Sequence, residues 1–433
     1  MAIKVTKGQN CDEFVDPSGL EAYTACHLIA LDKNPGVRPI GVGEVVRRII
    51  SKTILSVTSV EIQKSAGSLQ LCAGQPSGCE SAVHALRHIF DDSSTQATLL
   101  VDASNAFNNL NRQLALVNIP SVCPVLLNIV INTYRTDAKL FVGGETILSR
   151  EGTTQGDPLA MAMYALALVP MINCLHGHIK QVWYADDAAA AGLLTNLRSW
   201  WNMLCDIGPQ YGYFVNSAKT FLIVKEKHVV QAHSIFTDTG IQITTEGKRY
   251  LGSALGSPAF VESYVNGKVK EWSDELSKLC EFATSQPHAA FSALTHGLFG
   301  RWIYLSRTLS NISESLSPLE QNIRLHFLPT LTGKCVFSDL ERQLLSLPSH
   351  LGGLGIINPC ASSVAQFDSS QKVTGPLEIY LKNRRSCEEL ASALHPQLSL
   401  DLQRAREFAC LKGASSWLTA LPIDEHGFAL HKP

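Results

Sequence analysis

Gln181-Val182-Trp183-Tyr184-Ala185-Asp186-Asp187-Ala188-Ala189-Ala190-Ala191-Gly192 sets two adjacent carboxylates inside a run that is otherwise almost wholly apolar. A carboxylate among residues that bury themselves is costly unless it is paired, neutralised or bound to a cation. The flanks, Gln181 to Tyr184 and Ala188 to Ala191, read as two short strands with Asp186-Asp187 at the turn between them. A hairpin tip presenting carboxylate oxygens suits Mg²⁺, which takes all-oxygen ligands.

A second acid stands in a comparable place upstream. Ala97 to Val101 reads as a buried strand that ends on Asp102 and runs into a polar, Asn-rich turn. Between the two acids lie a helical stretch from Cys123 to Tyr134, a hairpin around Gly143-Gly144 and the long apolar run Leu159 to Leu175. That run is roughly as long as the shortest bilayer span, about 17 residues. It contains Pro170 and follows Gln155-Gly156-Asp157-Pro158, where Asp caps and Pro enters the first turn, so it reads as a buried helix. No membrane association is expected. Carboxylates converging from two strand ends on divalent ions form the clamp that displaces pyrophosphate from a nucleotide.

Bulk properties bound the rest. In 433 residues, 45% hydrophobic and 17% charged content supports a real core, and 36 Lys+Arg against 38 Asp+Glu leave a formal net charge of -2. Bulk charge therefore announces no polyanion partner, and local charge must carry that argument. The 12 cysteines form no C-x-x-C pair, which points to reduced thiols rather than a zinc ribbon or a disulfide framework. Cys174-Leu175-His176-Gly177-His178 lacks a fourth ligand at metal spacing and reads as core and turn. Met1 to Lys7 has no apolar signal region, so an intracellular location is expected, nuclear or cytoplasmic. Strand and helix signals interleave without an internal repeat, which gives an α+β class.

Several motifs in order resemble the reverse transcriptase domain of a retroelement, closest to non-LTR retrotransposons, from about Leu28 to Gly256. Tyr184-Ala185-Asp186-Asp187 matches the family's Tyr-x-Asp-Asp hairpin, and Val101-Asp102-Ala103-Ser104-Asn105-Ala106-Phe107 its first acidic segment. The resemblance makes Asp102 and Asp186 the primary metal ligands and Asp187 the third acid, and it places Phe107 where a ring excludes a ribose 2′-hydroxyl. Gln155 and Gly156 match the Gln-Gly motif along the incoming nucleotide, Gly156 allowing close backbone approach. Leu31-Asp32-Lys33-Asn34-Pro35-Gly36-Val37-Arg38 resembles the fingers motif, so that Arg38 and Lys33 would hold the triphosphate. Lys219, in Asn216-Ser217-Ala218-Lys219-Thr220, matches the lysine thought to protonate pyrophosphate, and Tyr250 to Gly256, through Leu251 and Gly252, resembles the primer grip.

The resemblance implies a right-hand polymerase: fingers and palm over residues 1–258, a helical thumb over 259–345 and a helical tail over 346–433. It implies an RNA-directed DNA polymerase using Mg²⁺, with Mn²⁺ as the alternative, dNTPs, an RNA template and a DNA or RNA primer. The competing readings are an RNA-dependent RNA polymerase and a non-catalytic nucleic-acid-binding remnant. From about Ser263, Val265, Val269, Trp272, Leu276 and Leu279 recur at helical spacing. Lys268, Lys270, Lys278, Arg301 and Arg307 there face the competing charges of Glu271, Asp274, Glu275 and Glu281. No endonuclease-like segment, Cys-Cys-His-Cys knuckle or RNase H pattern stands out, and Cys387, His395 and Cys410 have the wrong spacing for a knuckle. The pattern is that of a polymerase core without integration machinery. Oligomeric state is not legible.

Overall fold

The structure, a computed structural model, describes residues 16–383 apart from Asn34, Pro35, His176 and His178. The histidines of the Cys174 cluster, and Cys387, His395 and Cys410, therefore lie outside the described residues. The described chain forms two compact units that divide between Leu251 and Gly252. The second runs through Val373. Among the described residues no helix is long and apolar enough to cross a membrane, and every cysteine is a free thiol.

The first unit is mixed α/β. Its strands are β1 (Cys26–Asp32), β2 (Val37–Gly43), β3 (Ala97–Val101), β4 (Ala138–Val142), β5 (Glu145–Ser149), β6 (Lys180–Tyr184), β7 (Asp187–Gly192), β8 (Phe221–Val224), β9 (Gln242–Thr244) and β10 (Gly247–Tyr250). One sheet has the order β2-β1-β4-β5 and another β6-β7-β3-β8-β9. Both are mixed: β1 and β4, and β8 and β9, pair in parallel, while their other neighbours are antiparallel.

The five-stranded sheet explains the alanine run. β3 is buried along its whole length and pairs antiparallel with β7, Val101 opposite Ala188 and Ala97 opposite Gly192. Helices Gly78–Asp91 and Leu194–Ile207 pack against β7, so Ala188 to Ala191 are almost fully enclosed and larger side chains would overfill the space. Bulk comes from next door. Trp183 on β6 is fully buried, and Gln181 beside it accepts hydrogen bonds from the indole N–H groups of Trp183 (3.2 Å) and Trp200 (3.0 Å). Gln181 donates in turn to the Ile172 carbonyl at 3.0 Å, tying β6 to the helix Ala160–Cys174.

That helix is the apolar run read from the sequence, shorter by a residue at each end. Its first turn has no side-chain cap at Leu159, although the Asp157 carboxylate accepts from the Leu159 N–H at 3.1 Å. Pro170 sits inside it, and Ala160 to Leu168 are buried except for Met161. The expected Cys123–Tyr134 helix is a short 3₁₀ turn, Pro124–Leu126, followed by Leu127–Tyr134.

The second unit is helical. Its longest helix within the unit, Pro258–Ala283, starts ahead of the Ser263 expectation because Ser257 caps it, accepting from the Phe260 N–H at 3.2 Å, with Pro258 in its first turn. Val265, Val269, Trp272 and Leu276 face a core shared with Trp302, Phe327 and Ile356, and Leu279 packs at its margin. Short π-helical segments, Leu294–Leu298 and Ile323–Phe327, interrupt the helices here. Much of the basic character is answered internally. Lys268 pairs with Glu271 at 2.6 Å, and Arg301 grips both oxygens of Glu275 at 2.9 and 2.7 Å.

Candidate active site

The two acids meet through strand pairing. Because β3 lies beside β7, Asp102 at the end of β3 comes alongside the Ala185-Asp186 loop that joins β6 to β7. Asp102 and Asp186 open on one cleft of about 620 Å³, together with Lys33, Arg38, Phe107, Gln155 and Lys219. Residues far apart in the chain thus converge on a space within the roughly 300–1,000 Å³ usual for small-molecule sites. Asp187 is turned to an adjoining recess lined by Asp102, Lys219, Lys248, Arg249, Tyr250 and Leu251. Gly252 belongs to the second unit, where its carbonyl accepts from the Tyr264 hydroxyl at 3.0 Å.

All three carboxyls are pushed above the ordinary carboxylate value. Burial is the main cause for Asp102, which Lys219 and Lys33 offset. For Asp186, burial is reinforced by Asp102 and opposed by its own backbone N–H, Arg38 and Lys33. Burial, Asp186 and Asp102 push Asp187 up to about 6, against Arg249. Crowded like charges of this kind favour a bound cation. Among the described residues, no three His, Cys, Asp or Glu groups gather closely enough to hold a metal on their own. Mg²⁺ does not require such a cage: it is commonly held by one or two carboxylates with substrate phosphates, and keeps several waters. Two acids on one cleft that also carries Arg38, Lys33 and Lys219 fit that mode.

The surrounding loops show what sets each side chain. Asn216 donates from its N–H to the Asp102 carbonyl at 2.8 Å, and Val215 bridges Ala103, so the segment carrying Lys219 is laid beside Asp102. The Phe107 ring stacks on Tyr164 with centroids 4.5 Å apart. The Phe107 carbonyl accepts from the Thr153 N–H at 2.7 Å, and a Cβ at Gly152 would sit 2.4 Å from that same carbonyl oxygen. Gly152 is required there for close approach. Gly156 also makes a close approach, to protein rather than to the cleft: a Cβ there would lie 2.4 Å from the Gly41 carbonyl, and the Gly41 N–H donates to Gln155 at 2.7 Å. The Gln155 side chain itself lines the cleft.

Several contacts are not signalled by any motif. Arg47, one of the basic residues around the fingers-like motif, is turned inward, where it pairs with Asp157 and donates to the Thr24 carbonyl at 2.9 Å. The Tyr134 hydroxyl donates to the same Asp157 oxygen at 2.6 Å, so the loop carrying Gln155 is anchored from below. At the hairpin tip, Ala185 has φ +56°, a left-handed value that costs a non-glycine residue about 1–3 kcal/mol. The buried amide of Gln70 meets that peptide, and the Tyr213 hydroxyl donates to the Asp186 carbonyl at 2.8 Å.

No family model matches the chain, and no curated protein does. Among solved structures it is similar to apo telomerase from Candida tropicalis, at 12% identity over 90% of this chain and 70% of that one, with a TM-score of 0.46. It is similar to telomerase from Candida albicans in complex with a TWJ fragment of telomeric RNA, at 11% identity over 94% of this chain and 66% of that one, TM-score 0.46. A Candida tropicalis telomerase truncated from its C-terminal domain gives 14% identity, a TM-score of 0.39, and cover of 47% of this chain and 51% of that one.

Proposed function

We propose that this chain is a reverse transcriptase of the non-LTR retroelement type, adding dNTPs to a primer 3′-hydroxyl on an RNA template. In this reading the first unit supplies fingers and palm and the second a helical thumb. The observation that carries it is the convergence of Asp102, Asp186, Arg38, Lys33, Phe107, Gln155 and Lys219 on one cleft. Each has a role that suits its chemistry. Asp102 and Asp186, with Asp187 beside them, would hold Mg²⁺ or Mn²⁺, which when bound acidifies the primer hydroxyl and neutralises phosphate charge. Arg38 offers a guanidinium fork and Lys33 a point charge to the triphosphate. Lys219 stands beside Asp102, able to give a proton to departing pyrophosphate. Phe107, braced by Tyr164, narrows the cleft where a ribose 2′-hydroxyl would enter. Gln155 presents an amide to the nucleotide, and Tyr250, Leu251 and Gly252 form the primer grip.

Primer extension on an RNA template tests the reading with the full chain, Mg²⁺ and either dNTPs or rNTPs. The wild type is expected to extend with dNTPs, Asp186→Ala to fall to background, and Phe107→Ala to keep dNTP use while admitting ribonucleotides. Equal extension by wild type and Asp186→Ala removes the site. Ribonucleotide preference in the wild type makes the chain an RNA polymerase. Binding of primed template without extension by either protein makes it a non-catalytic remnant.

A further inference from the structure

The loop between β6 and β7 is two residues long, since Tyr184 pairs with Asp187 and only Ala185 and Asp186 lie between. A positive φ at the first loop residue is ordinarily glycine's place in a hairpin, yet this chain carries alanine there. Backbone in such a conformation persists only where its surroundings over-determine it. Here one buried side chain meets both polar groups of the residue. Gln70 Nε2 donates to the Ala185 carbonyl at 3.1 Å, and the Ala185 N–H donates to Gln70 Oε1 at 2.9 Å. Both ends of one amide therefore grip both polar groups of one residue.

Gln70 is itself fully buried and fixed. Its backbone lies opposite Trp183 in a parallel bridge, with the Leu71 N–H donating to the Trp183 carbonyl and the Trp183 N–H to the Leu69 carbonyl, each at 2.8 Å. Residues 69–71 thus cover the outer edge of β6, the edge strand of its sheet, and carry the amide to the tip. The next carbonyl, that of Asp186, is held from elsewhere by Tyr213. Asp102 repels Asp186, which is itself largely desolvated, so an unbraced tip would swing its carboxylate outward toward water.

We infer that Gln70 is a positioning residue: by clamping the Ala185 peptide it holds the Asp186 carboxylate against Asp102, and so sets the affinity of the pair for a divalent cation. The inference rests on the proposed function, because it presumes that the acids bind a metal. It does not concern nucleotide contact, since Gln70 does not line the cleft.

Gln70→Met keeps the buried volume and deletes both hydrogen bonds, which separates clamping from packing. Binding of Mn²⁺ to the full chain, read by electron paramagnetic resonance without nucleic acid and both with and without a dNTP, is the measurement. Gln70→Met is expected to weaken binding by about tenfold, the size of effect found when groups that orient metal ligands are lost. Adding Ala185→Gly should recover much of that loss, because glycine holds a positive φ without help. A variant that lost affinity through general loosening would gain nothing from glycine. Mn²⁺ affinity within twofold of wild type in Gln70→Met overturns the inference alone, as does a double variant no better than the single. A wild-type chain that binds no Mn²⁺, either alone or with a dNTP present to supply its phosphates, overturns the proposed function and the inference with it.

Discussion

Burial and two neighbouring acids push the Asp187 carboxyl up to about 6, while Arg249 pulls the other way. A carboxyl raised on folding stabilises the fold while protonated, and that contribution disappears as pH rises through its folded value. Ionised Asp187 is thus a burden on the metal-free protein. Asp187→Asn is expected to raise the melting temperature in chelator at about pH 8 and to change little near about pH 3, below the unfolded value of 3.8. Thermal denaturation at the two pH values checks it; an unchanged or lower melting temperature at the higher pH contradicts the reading. Asp102, Asp186, Phe107, Gln155 and Lys219 stand in motif order along the chain, and that order led to them. Gln70, Tyr213 and Tyr164 act through contacts with residues remote in sequence, and nothing in the linear pattern announces them.

At the scale of elements, the buried pair of Arg47 and Asp157 joins the helix Val45–Val57 to the loop that carries Gln155. Both side chains are almost wholly enclosed, 3% and 2% exposed, and Tyr134 completes the carboxylate's partners. Removing one member of such a pair strands the other charge in the interior. Asp157→Asn is expected to cost about 3–5 kcal/mol in chemical denaturation, whereas replacing both partners with apolar residues should cost far less. Equal losses in the two cases would show that the ion pair has no special part in the junction. In the sequence Arg47 stands among other cations, Arg48 and Lys52, and charge type does not reveal which way a helix face turns. The hairpin, β3 and the Pro258–Ala283 helix were legible for the opposite reason: each carries its period and stop signals locally. The helix Arg112–Val122 was not, for it encloses Pro120 and its strongest anchor is remote, with Arg112 donating to the carbonyls of Ser149, Glu151 and Gly152.

The whole molecule is organised around two separate hydrophobic cores, one built on β3, β7 and the helix Ala160–Cys174, the other on Trp272, Trp302 and Phe327. Trp302 is 1% exposed and packs against Phe299 and Trp272 at centroid distances of 5.1 and 6.2 Å. Trp302→Ala is expected to destabilise the second unit by about 3–5 kcal/mol. Amide exchange should then quicken around Leu276, while Leu99 to Val101 in β3 keep their protection. Loss of protection in both places would mean that the units unfold as one.

Local chemistry along the chain was enough to specify a charged hairpin tip, an acid at a strand end and a helical second part, because each is a property of neighbouring residues. Bringing Asp102 and Asp186 to one cleft, turning Asp187 to the next recess, seating Gly156 against Gly41 and clamping Ala185 with Gln70 all depend on which strands pair and which loops touch. Those pairings are won by the burial of whole faces of the sheet. That is a cooperative quantity which no single stretch of sequence carries.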